Sequence, residues 1–170
     1  WGHLTRHKGV QVLLRALGEL VSADLPRPVE VHLLGEPDTD ELRDELAELA
    51  RGKPVVFHGA YNSATLATAG LHVAVFPSLA FETFGYVFDE AVELGLPAIV
   101  TDHGAIAVRA GAAAITVPAG DPSALAHAMR AIAEDPGRRD QLAAQLPPLP
   151  PHEGGSPELS LIHLSEPTRL

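Results

Sequence analysis

The chain has 170 residues, with 22 acidic against 12 basic side chains, a formal charge of −10 and no cysteine. That balance argues against a nucleic-acid binder, which needs clustered Lys and Arg, and it rules out a disulfide framework or thiolate chemistry. At 46% hydrophobic but only 5% aromatic residues, the length suits one domain whose core is built from Leu, Val, Ile and Ala.

In chain order, Val10, Leu13, Leu14, Leu17, Leu20 and Val21 repeat at helical spacing. Pro26 and Pro28 then break the chain, and residues 29–34 read as a strand ending at Gly35. Residues 39–51 predict a helix with Leu42, Leu46 and Leu49 on one face and i, i+4 charge pairs elsewhere. Residues 54–57 predict a short buried strand stopped by Gly59, and Asn62 or Ser63 can cap a short helix running to Ala69. Residues 72–76 form the next apolar run, and a helix follows from Thr83 to Leu94. Residues 98–101 and 114–117 are further strands, and Asp121-Pro122 opens a helix with a cap and a proline at its first position. Leu125, Ala128, Met129 and Ile132 line one face of that helix. Short all-apolar strands alternating with amphipathic helices predict an α/β fold, a doubly wound parallel sheet of Rossmann-like type. Ligands of such sheets bind beyond the carboxyl ends of the strands.

The chemistry concentrates at residues 77–91. Glu82 stands before the expected helix and Glu90 within it, roughly 12 Å apart at 1.5 Å rise per residue if the helix begins at Thr83. That span suits an extended ligand with a polar group at each end, and free N–H groups at Thr83, Phe84 and Gly85 would favour an anionic middle. Phe84, Val87, Phe88, Ala91 and Leu94 make this helix largely apolar, so an acid at position 90 needs a polar partner. Read without a ligand, Glu82 is a helix-dipole carboxylate, Glu90 an exposed helix residue and Lys8 a solvated loop lysine.

Glu82-x-Phe84-Gly85-x-x-x-x-Glu90 after Pro77-Ser78 resembles the signature of family-4 (group 1) glycosyltransferases of GT-B architecture. Residues 2–9, Gly-His-Leu-Thr-Arg-His-Lys-Gly, resemble the entry of that family's donor-binding domain, and residues 95–100 resemble the strand after the signature helix. The resemblance covers residues 1–146 and implies a nucleotide-sugar donor-binding domain, the C-terminal half of a hexosyl-transferring enzyme of carbohydrate biosynthesis. It implies transfer from a nucleoside diphosphate sugar to an acceptor hydroxyl, with retention and with neither metal nor cofactor.

Lys8 would then steady the diphosphate, Glu82 orient the sugar, the amides of Thr83, Phe84 and Gly85 contact sugar and phosphate, and Glu90 accept the ribose hydroxyls. His3 stands where the family has Arg, exchanging a permanent forked donor for a group charged only at lower pH, and Arg6 is the nearby cation that could compensate. The loop at His103-Gly104-Ala105 lacks the family's downstream Glu, having Ala107-Val108-Arg109 instead. Asp38-Thr39-Asp40 matches a metal-holding pattern but precedes an acidic helix, so capping is the expected role. Two rivals stay open: a nucleotide-sugar epimerase of the same architecture, and a non-catalytic nucleotide-binding fragment.

The chain begins at Trp1, has Met129 as its sole methionine, and leaves no room for the strand that should precede Lys8. The expectation is a piece of a longer protein whose first strand and acceptor domain lie upstream, inactive by itself. No apolar run approaches the roughly 20 residues of a membrane span and no leader is evident, which reads as cytoplasmic, with any peripheral membrane contact left to the missing domain. Residues 147–170 are rich in Pro and Gly and read as a flexible tail. Within it, residues 159–170 resemble a translated sequencing-library adapter with one residue different, which implies a cloning artefact without function.

Overall fold

The computed structural model describes residues 3–61, 70–148 and 161–164. The expected helix after Asn62, and the tail apart from residues 147–148 and 161–164, lie outside these. The strands are β1 (His3–Leu4), β2 (Val29–Leu34), β3 (Glu36–Pro37), β4 (Val55–Gly59), β5 (Val73–Phe76), β6 (Ala98–Thr101), β7 (Ala114–Val117) and β8 (Leu161–Leu164). Between them run α1 (Val10–Leu20), α2 (Asp40–Ala50), α3 (Val87–Glu93), α4 (Gly104–Ala110), α5 (Pro122–Glu134) and α6 (Pro136–Ala143).

Six strands form one sheet in the order β4-β2-β8-β5-β6-β7. β2–β4, β5–β6 and β6–β7 pair in parallel, as the alternation of apolar runs and helices requires. The strands bury alternate side chains on opposite faces. Val29, Val31, Leu33, Val73, Val75 and Ile99 join α1, α2 and α5 in one core. Leu34, Ala74, Phe76, Ala98 and Val100 join Phe88, Ala91 and Ile106 in a second core on the other side. A sheet covered on both faces is doubly wound, and each large aliphatic side chain so buried contributes about 2 kcal/mol.

Local chemistry explains the ends of the helices. Thr39 accepts from the Leu42 amide at 3.2 Å, so the Asp38-Thr39-Asp40 stretch caps α2. Asp121 accepts from the Ala124 amide at 2.9 Å with Pro122 at the first helical position of α5. The same arrangement recurs at Asp135-Pro136, where α6 begins.

Two expectations are corrected, and three strands form where none was predicted. The strand at residues 54–57 is not buried: β4 lies at the edge of the sheet, with Phe57 46% exposed. The helix expected from Thr83 begins at Val87, because Gly85 at φ +72° is left-handed and cannot continue a right-handed turn. The sequence also hides β1 and β3, two-residue strands that pair in parallel, His3 with Glu36 and Leu4 with Pro37. Finally, residues 161–164, set aside with the tail, form β8 in the middle of the sheet. β8 runs antiparallel to both neighbours, with Ile162 opposite Val31 and also opposite Val73. The physical reason is the run Leu-Ile-His-Leu, whose apolar, partly β-branched composition suits a pleated ladder.

A polar chain crosses β2 and β4. His32 Nε2 lies 2.8 Å from Glu30 Oε1, and His58 Nε2 lies 2.9 Å from His32 Nδ1 with the two rings stacked. Burial, and then the neighbouring His32, hold the His58 pKa below its ordinary value of 6.5, against a smaller opposing pull from Glu30. Below pH 6.5 the unfolded chain therefore binds a proton here that the folded chain resists, so stability falls as the pH drops through that window. Thermal unfolding on either side of pH 6.5 is expected to show that slope, and His58→Asn to flatten it. An unchanged slope in the variant would assign the effect to other groups.

Candidate functional site

The turn that carries Lys8 is built from its neighbours. After β1, residues Arg6–Lys8 make one turn of 3-10 helix that ends at Gly9 in the left-handed conformation. Gly9 then starts α1, accepting from the Val12 amide at 2.9 Å. This turn is tied to the loop that follows β5. The His7 carbonyl accepts from the Leu79 amide at 2.7 Å and from Ser78 Oγ at 3.3 Å. Ser78, only 5% exposed, also has Glu82 Oε1 within 3.0 Å, so its single O–H is shared between the His7 carbonyl and that carboxylate.

These ties bring Lys8 and Glu82 together, with Nζ 3.8 Å from Oε1. A partly exposed pair at that distance contributes no more than about 1 kcal/mol. The ammonium is thus held in place loosely enough to turn toward an anion. Lys8 and Glu82 line a hollow of about 450 Å³ together with His7 and the rest of residues 80–87. The hollow opens beyond the carboxyl ends of β1 and β5. Strand order reverses between β2 and β5, so it also sits by the switch point where doubly wound sheets bind ligands.

Of the residues singled out in the sequence, Lys8, Glu82, Thr83, Phe84 and Gly85 meet in this hollow. Thr83 and Phe84 sit in a bend before α3, not in its first turn. Glu90 is within α3, 6% exposed, and does not line the hollow. His3 pairs through its backbone with Glu36, and its side chain is outside the described atoms. The Arg6 guanidinium is ion-paired to Glu45 on α2. Among the described residues no group of three or more His, Asp or Glu could hold a metal ion.

The sequence reading missed His7, Ser78 and the aromatic rim of Phe81 and Tyr86, which are 75% and 65% exposed. It also missed a buried ion pair between Asp89 on α3 and Arg109 on α4. The serine was legible in principle as the partner a carboxylate needs four residues on. The pair, spread over two helices, was not. Chemically, one ammonium, one carboxylate, several backbone amides and exposed aromatic faces suit a ligand that is anionic at one end and hydroxylated at the other.

A doubly wound α/β domain with a hollow beyond the carboxyl ends of its strands has the architecture in which such sheets bind ligands. The family profile for glycosyl transferases group 1 matches residues 1–135, and the chain belongs to that family. It is 34% identical over 162 residues to D-inositol 3-phosphate glycosyltransferase 1 of Catenulispora acidiphila, covering 84% of this chain and 37% of that protein. It is 38% identical over 141 residues to the phosphatidyl-myo-inositol mannosyltransferase of Mycolicibacterium smegmatis, covering 81% of this chain and 34% of that protein. Among solved structures, Anabaena Alr3699/HepE in complex with UDP superposes with a TM-score of 0.70 at 24% identity, over 85% of this chain and 40% of that one. Sucrose-phosphate synthase from Thermosynechococcus elongatus gives 0.65 at 26% identity, over 81% and 36%. The chain therefore spans little more than a third of its curated relatives' length. No helix among the described residues is long and apolar enough to cross a membrane.

Proposed function

We propose that this chain is the donor-binding part of a glycosyltransferase that moves a hexose from a nucleoside diphosphate sugar to an acceptor hydroxyl. The observation that carries the reading is the meeting of Lys8, Glu82 and the 83–85 backbone in one hollow at the switch point. In the reaction the bond between the sugar's anomeric carbon and the diphosphate oxygen breaks. A new bond forms to the acceptor oxygen, whose proton leaves with the diphosphate. Charge grows on the departing diphosphate, and Lys8 meets it there, so its ammonium favours the transition state over the ground state. Glu82, oriented by Ser78, accepts hydrogen bonds from the sugar hydroxyls. Departure and attack on the same face, with retention, fit a site offering one carboxylate beside the sugar, and Lys8 with backbone amides supplies the countercharge without a metal. The acceptor belongs to the rest of the full-length protein. The names of the curated relatives point to an inositol-containing acceptor.

Calorimetric titration of the chain with UDP and GDP tests the reading. A charge-assisted hydrogen bond contributes about 1.5–3 kcal/mol, so Lys8→Ala is expected to weaken binding by roughly 10- to 100-fold. Equal affinity in the variant would remove Lys8 from the diphosphate. For Glu90 we propose a contact to the ribose hydroxyls, and Glu90→Ala measured in the same titration decides it: unchanged nucleotide affinity would end that assignment.

A further inference from the structure

We propose that Arg109 is a positioning residue that aims the amides of Gly85 and Tyr86 into the hollow, making them an anion-binding pair. Its guanidinium leaves α4 and reaches the bend before α3. Nη1 donates to the Phe84 carbonyl at 3.1 Å and to the Gly85 carbonyl at 3.1 Å, and Nη2 donates to Asp89. The group also lies over the Phe84 ring, 4.6 Å from its centroid, and 5.7 Å from that of Phe88. The Asp89 side chain is 4% exposed, so this carboxylate fixes the guanidinium from below while the two carbonyls fix it from the side.

The consequence follows from peptide geometry. The peptide bonds are trans, and in a trans unit the N–H points opposite to the C=O across the plane. Holding the Phe84 and Gly85 carbonyls toward Arg109 therefore turns the Gly85 and Tyr86 amides away from it. Both residues line the hollow, and neither amide donates a backbone hydrogen bond among the described residues. Gly85 packs closely on α4 because it has no Cβ; one placed there would meet Ile106 Cγ1 at 2.2 Å. α4 thus supplies both a wall and a clamp. Two adjacent N–H groups so aimed take a phosphate or pyrophosphate oxygen. This step rests on the donor-binding reading for its ligand, but not for the clamp itself.

Lysine keeps a cation for Asp89 but offers one nitrogen where arginine places two, Nη1 on the two carbonyls and Nη2 on Asp89, so it cannot hold all three partners in that geometry. Arg109→Lys therefore separates clamp from charge, and the double variant Arg109→Gln/Asp89→Asn serves as a neutral second test. In the intact chain, Arg109→Lys is expected to lower affinity for UDP and for pyrophosphate by about tenfold while leaving uridine binding and the unfolding temperature near wild type. Amide NMR relaxation, which needs no ligand, is expected to show Gly85 and Tyr86 ordered in the wild type and mobile in both variants. Equal loss of uridine and UDP affinity, or unchanged order at Gly85 and Tyr86, would overturn the proposal. Should the wild type bind no UDP or pyrophosphate, the donor reading falls and the anion-binding half of the proposal falls with it. The relaxation result still decides the clamp.

Discussion

Gly9→Ala is expected to destabilise the chain by about 2–5 kcal/mol, a large share of the 5–15 kcal/mol typical of a domain. Two effects add. A residue with a Cβ in the left-handed conformation costs about 1–2 kcal/mol, and Gly9 sits at φ +72°. A Cβ there would also fall 1.9 Å from the Pro77 carbonyl oxygen. That oxygen belongs to backbone at the end of β5, not to a flexible side chain, so relief requires parting the Lys8 turn from the loop that holds Glu82. Overpacking of this kind adds about 1–3 kcal/mol. Gly52 supplies the control, since it has nearly the same φ, +71°, with nothing within 4 Å of an added Cβ. Thermal unfolding should show a drop of roughly 10 °C for Gly9→Ala and a few degrees for Gly52→Ala. Equal drops would mean that the close approach to Pro77 carries no energy.

Removing residues 147–170 is the second change with a large expected effect. β8 pairs four of its residues with β2 and two with β5. At about 1 kcal/mol net for each ladder hydrogen bond, its loss removes roughly 6 kcal/mol and bares two strand edges in the middle of a buried sheet. Bared edges pair with other chains. The shortened chain is expected to unfold well below the intact one, or to self-associate, as circular dichroism and size-exclusion chromatography would show. A monomer with an unchanged unfolding temperature would refute the pairing of residues 161–164, and would leave the resemblance of residues 159–170 to an adapter as the whole account of that segment.

What the sequence disclosed depended on the range of the interaction. β5 and β6 were legible because strands buried on both faces read as apolar runs, β2 because Val29, Val31 and Leu33 alternate before Gly35, and α2 and α5 because Thr39 and Asp121 cap them three residues ahead. The pairing of Lys8 with Glu82 was legible only through family resemblance, since 74 positions separate them in the chain. The start of α3 was misplaced because Glu82-Thr83 has the look of a helix entry, while the left-handed Gly85 that forbids it shows in the chain only as a glycine. The exposure of β4 was hidden because its composition matches that of an inner strand and only the strand order sets it at the edge. β8 went unseen for the opposite reason: its neighbours in sequence are Pro, Gly and Ser, and its partners lie more than eighty residues away. Arg109 was noticed for the Glu absent beside it and not for the acid it binds twenty residues upstream.

The shared grip on the His7 carbonyl has a mechanical consequence. Because one oxygen receives both Leu79 N–H and Ser78 O–H, the short turn and the loop across from it form a single stiff jaw. The ties fix the spacing of the two backbone segments from which Lys8 and Glu82 project, while the long Lys8 side chain can still turn. For the donor proposed above, a frame already set in this way lowers the ordering that binding would require of the protein.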